Sequence, residues 1–165
     1  METPQEIEII VWGHGLARIA RFANAELVAQ AAQRYLHYYR APTQDQVDAL
    51  QISVHREEDA YLPTLGHYRG IADLPPKVAI IEIYVKRRPE EKDFWHTCYH
   101  ELDHLLYDLE HPGLISEERQ LLYEFRLHEI RAEKRGVAWM YRHLVLLPEL
   151  PGTLPRQKNR RGKYR

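Results

Sequence analysis

A single cysteine, Cys98, in 165 residues leaves no internal disulfide available, so stability must come from a packed core. No apolar run approaches the roughly 20 residues of a membrane span. The acidic, mixed start from Glu2 to Glu8 is unlike a signal peptide. These absences lead to the expectation of a cytoplasmic protein without membrane partners. Internal repeats are also lacking, and 165 residues suit one domain, expected over 1–155. The formal net charge of −1 hides an asymmetry: residues 156–165 carry six Lys or Arg and no acid. This tail follows Pro148, Pro151 and Pro155 and is expected to be a disordered, solubilising end. Contact with nucleic acid through it is the alternative.

What the chain does contain is strong periodicity. Ile7 to Trp12 reads as a short strand, and Leu16 to about Tyr39 as one long amphipathic helix. Asp45 to Leu50 suggests one turn of helix. Leu50 to His55 alternates apolar and polar residues as a strand does, and His67 to Ala72 is its expected hairpin partner. Val78 to Val85 is rich in β-branched residues and forms the strongest strand signal. Pro89, Glu90, Glu91 and Asp93 then favour a helix start, and no proline or glycine interrupts before Pro112. Phe94, Trp95, Cys98, Leu102, Leu105 and Leu106 give that helix an apolar stripe, which makes Cys98 a packing residue. Ser116 is expected to cap a last helix from about Glu117 to Leu147. The fold class is therefore α+β, with a small mixed sheet of three to four strands.

The most informative residues are His100-Glu101-Leu102-Asp103-His104, an HExxH pentad. Histidines four apart project from one helix face and can share a metal ion. Glu101 lies about 100° around the helix from His100, where a carboxylate can take a proton from water. His96 extends the histidine row by one turn. Three consecutive turns of a straight helix cannot all reach one small ion, so His96 is expected in a supporting or solvated role. A catalytic zinc usually has three protein ligands, and the third must come from elsewhere. The continuation HxxGxxH is absent, because Tyr107 and Glu110 occupy its positions. Glu129, His128, Glu124 and His143 on the last helix all remain candidates.

Strand, HExxH helix, loop and a helix bearing Glu129-Ile130-Arg131-Ala132 occur in one order over about residues 60 to 150. With Val145-Leu146-Leu147-Pro148, this order resembles gluzincin-type zinc metallopeptidases, most closely the ImmA/IrrE family. The resemblance implies a zincin-like fold and one Zn²⁺ per chain held by His100, His104 and Glu129. It also implies that Glu133 supports a ligand histidine through a hydrogen bond. Asp103 stands where the family usually has glycine, so an acid is expected to crowd the metal. Glu133 stands where Asn or Asp is usual. In zincin-like enzymes an edge strand binds extended peptide, which points to the segment around His67, Tyr68 and Arg69. Tyr68, or else His67, is expected to stabilise the oxyanion. The implied activity is zinc-dependent peptide hydrolysis, with Glu101 as general base and a peptide or protein as substrate. A non-hydrolytic metal-binding regulatory module and a nucleic-acid-associated protein are the competing readings.

Overall fold

In β4 (Val78–Val85), Ala79, Ile81 and Ile83 point to one face and are fully buried. The computed structural model describes residues 6–39, 45–60 and 64–146. Its α+β architecture has a four-stranded mixed sheet in the order β1-β2-β4-β3. Strand β1 (Glu8–Trp12) runs parallel to β2 (Ala49–Arg56), and β2 runs parallel to β4, with Ile52 opposite Ile81. Strand β3 (Gly66–Ile71) is antiparallel to β4 and lies at the sheet edge. The expected hairpin between the second and third strands is therefore not formed. Both sides of β2 are taken by parallel neighbours, so the returning chain pairs with the free side of β4. The helical turn expected over 45–50 is also replaced, from Ala49 onward, by strand. The Asp48 carboxylate accepts the Lys77 N–H at 2.6 Å, and the Asp48 N–H donates to the Lys77 carbonyl at 2.8 Å. Those bonds tie the starts of β2 and β4 together.

Two helices expected as continuous are each divided. The first becomes α1 (Leu16–Ile19) and α2 (Ala25–Tyr39). Asn24 Oδ1 accepts the Leu27 N–H at 2.8 Å, a cap that starts α2 afresh. The last becomes α4 (Leu114–Glu118) and α5 (Leu127–Leu146), separated by a 3₁₀ turn over Tyr123–Phe125. Ser116 lies inside α4 and does not cap. Instead, Arg126 donates to the carbonyls of Arg119 and Leu121, and the Glu118 carboxylate accepts the His128 N–H at 2.8 Å. Side chains thus satisfy the backbone groups on both sides of the break. The basic segment 156–165 and Leu147-Pro148 lie outside the described residues. Among those described, no helix is long and apolar enough to cross a membrane.

Helix α3 (Glu91–Glu110) packs against β3 and β4 and against α2 and α5. Its apolar stripe is fully buried at Trp95, Cys98, Leu102, Leu105 and Leu106. Burial pushes the Cys98 thiol up to about 12, so it packs and does not react. Helix α5 approaches closely because Gly136 has no side chain. A Cβ there would sit 3.2 Å from the His100 backbone nitrogen.

Asp103 departs from expectation. It is fully buried and accepts from Tyr35 Oη at 3.0 Å, Arg131 Nε at 3.0 Å and Arg135 Nη1 at 3.3 Å. The acid expected to crowd a metal instead ties α3 to α2 and α5. Removing it leaves two arginines and a buried phenol without their acceptor. Asp103→Ala is predicted to destabilise the fold by about 2–3 kcal/mol, lowering the thermal midpoint by roughly 5–10 °C. Calorimetry of both proteins at neutral pH checks this.

Candidate metal centre

The helical repeat brings His100 and His104 to the face of α3 that meets the first turn of α5. Their rings stand 4.7 Å apart, nearly perpendicular at 87°. Glu129 reaches between them, with Oε2 2.8 Å from His100 Nε2 and Oε1 3.3 Å from His104 Nε2. Burial opposes charge on Glu129, but His100 and His104 outweigh it and hold the carboxyl well below its usual range. Burial likewise works against protonated His100, yet Glu129 and its acidic neighbours raise its pKa. For His104 burial prevails and the pKa falls.

Glu101 occupies the adjoining side of the site, with Oε2 4.0 Å from His104 Nε2. It is 6% exposed, and burial is the main cause that pushes its carboxyl to about 7. A backbone hydrogen bond from Tyr68 acts in the opposite direction. The β3 backbone lies against it because Gly66 has no side chain. A Cβ at Gly66 would lie 2.9 Å from Glu101 Oε1 and 2.6 Å from Thr97 Cγ2. A carboxyl that titrates near neutrality can both take and return a proton.

Among the described residues, three overlapping donor sets could hold a metal ion: His100, Glu101 and His104; His104, His128 and Glu129; and His96, His100 and Glu133. Within each set the ligand atoms lie within 4.8 Å of one another. Imidazole nitrogens and carboxylate oxygens are donors that suit zinc and neighbouring divalent ions. Glu133 shares one oxygen between His100 Nδ1 at 3.3 Å and His96 Nε2 at 3.1 Å. The buried Nδ1 of His104 has no partner among the described residues. His143, a sequence candidate for ligation, is buried against Trp95 and contacts the Tyr99 hydroxyl through Nδ1. Glu124 is exposed in the 3₁₀ turn and joins none of these donor sets.

Tyr68 does not fit the oxyanion role expected of it. Its side chain is 3% exposed and its hydroxyl donates to Asp108 at 2.7 Å. Burial, with Asp108, holds the phenol far above its ordinary pKa. Alternation along β3 sends half-buried His67 to the other face. The phenol that does reach the Glu129 carboxylate is Tyr123, which donates to Oε2 at 2.8 Å. Sequence reasoning missed Tyr123, Gly66 and Glu118. Their proximity arises only from tertiary packing, and the spacing of six from Tyr123 to Glu129 gives no periodic signal.

Glu101 also sets a pH dependence of stability in chelator-treated protein. Its pKa rises from 4.5 unfolded to about 7 folded, so the native state holds the proton more tightly. Its favourable contribution is complete below 4.5 and is lost as pH rises through 7. The cost above that is about 3 kcal/mol. Glu101→Gln removes this dependence. The variant is predicted to melt higher than wild type near pH 8, with the advantage shrinking towards pH 5. Parallel melting curves at both pH values check it.

In comparisons with known proteins, no family model, curated protein or solved structure matches this chain.

Proposed function

We propose that the chain is a zinc-dependent peptidase of the zincin type, nearest to the gluzincins and the ImmA/IrrE family. One observation carries this reading. Two histidines of α3 and one glutamate of α5 converge, with a buried carboxyl that titrates near neutrality beside them. His100, His104 and Glu129 would hold Zn²⁺, which when bound supplies Lewis acidity towards a carbonyl and lowers the pKa of water. Glu101 takes the proton of the attacking water and delivers it to the departing amine. Burial, with the β3 backbone at Gly66 lying against it, keeps this carboxyl near its midpoint. Glu133 fixes the His100 ring through Nδ1. Strand β3, at the end of the sheet, offers its outer edge to an extended peptide.

The burial of Glu101 and His104, at 6% and 5% exposure, favours a second reading. In it the same residues hold a metal in a partner-binding module without hydrolysis. A nucleic-acid role through the basic tail rests on residues outside the described structure.

Glu101→Gln separates the two readings. It retains size and much of the hydrogen bonding but removes the base. A peptide library cleaved by zinc-bound wild type should be cleaved by the variant at least about 100-fold more slowly, at unchanged zinc content. Full activity in the variant would refute the assigned role of Glu101. A library left intact by wild type would favour the binding module.

A further inference from the structure

We propose that His128 is an additional ligand to the metal ion held by His100, His104 and Glu129, and that Glu118 is the carboxylate that orients it. The proposal rests on the metal centre above but goes beyond the two-histidine set that the pentad supplies. His128 lies in the first turn of α5 beside Glu129 and is only 2% exposed. Its ring Nδ1 lies 3.0 Å from Glu118 Oε1, which also accepts the His128 backbone N–H at 2.8 Å. The other oxygen of Glu118 accepts the Tyr107 hydroxyl at 2.5 Å. Glu118 is itself 5% exposed, so this anchor is removed from competing water.

A carboxylate at Nδ1 places the proton of the neutral ring there and leaves the lone pair on Nε2. That nitrogen lies 3.4 Å from Glu129 Oε1. His104, His128 and Glu129 together present ligand atoms within 4.8 Å of one another. A lone pair facing a carboxylate oxygen in a buried site is unfavourable unless a proton or a metal ion lies between them. Carboxylate, histidine and metal in series is the arrangement that sets the tautomer and basicity of ligating imidazoles. Among the described residues His104 has no such partner at Nδ1, whereas His128 has one that is buried and doubly anchored. Three imidazoles and a carboxylate would then be available to hold the ion.

The test uses the full chain with ¹⁵N-labelled histidines and ¹¹³Cd as a probe of the zinc site, alongside zinc affinity measured by chelator competition. Metal–nitrogen couplings are expected in three histidine rings, with the third assigned by its loss in His128→Gln. Glu118→Gln should weaken zinc binding by about 10–100-fold. Couplings confined to His100 and His104, or no metal binding at all, would overturn the proposal. Should His128→Gln fail to fold, His96→Gln takes its place: three couplings retained support His128 as the third ring, and loss of the third coupling overturns the proposal. Hydrolysis by a protein with two coupled rings would refute this ligand while leaving the peptidase reading intact. Three coupled rings without hydrolysis would do the reverse.

Discussion

The close crossing of α3 and α5 determines whether Glu129 can reach the two histidines of the neighbouring helix. Gly136 allows the α5 backbone to lie against that of α3 at His100. Arg131 and Arg135, from the same helix, grip the buried Asp103 carboxylate. These contacts fix the separation and rotation of the two helices. The first turn of α5 then delivers Glu129 at 2.8 Å from His100 and 3.3 Å from His104. The polar link at Asp103 also reaches Tyr35 of α2, so three helices share one buried anchor. Such a buried charge adds little net stability once its desolvation is counted, but it disfavours other helix registers.

Around that crossing, acids and histidines alternate. His96, Glu133, His100, Glu129 and His104 form one contact chain, and Glu118 and His128 form a branch that joins it at Glu129. Each imidazole therefore has a carboxylate nearby, and the pKa values of the pentad histidines diverge according to burial and neighbours. Glu101 stands apart because the β3 backbone lies against it and burial outweighs the pull of His100 on its charge. One carboxyl is thus held ionised while another rests near its midpoint. That separation of environments is what acid–base chemistry at neutral pH needs.

Much of this was legible in the sequence where the signal was local. The strand at Val78–Val85 follows from its β-branched residues, and the start of α3 from Pro89 and the acids after it. The pentad placed His100, Glu101 and His104 on one helix because its spacing is helical. Glu129 came from the resemblance, since its partners lie on another helix. The break at 119–126 was not legible, because no proline or glycine marks it. Arg126 and Glu118 supply the backbone partners that replace helical bonds there. Asp103 looked like a substitution beside a metal, and only the positions of Tyr35 and the two arginines reveal it as a packing anchor. Strand position alone puts Tyr68 at the cleft. Its hydroxyl belongs to Asp108, forty residues away along the chain.

The central claim is that this helix crossing holds one metal ion, and elemental analysis tests it most directly. Protein purified without chelator should carry about one zinc per chain. His100→Ala, His104→Ala and Glu129→Ala should each lose most of it while keeping wild-type helix content. Equal zinc in wild type and all three folded variants, or none in any, would contradict the account.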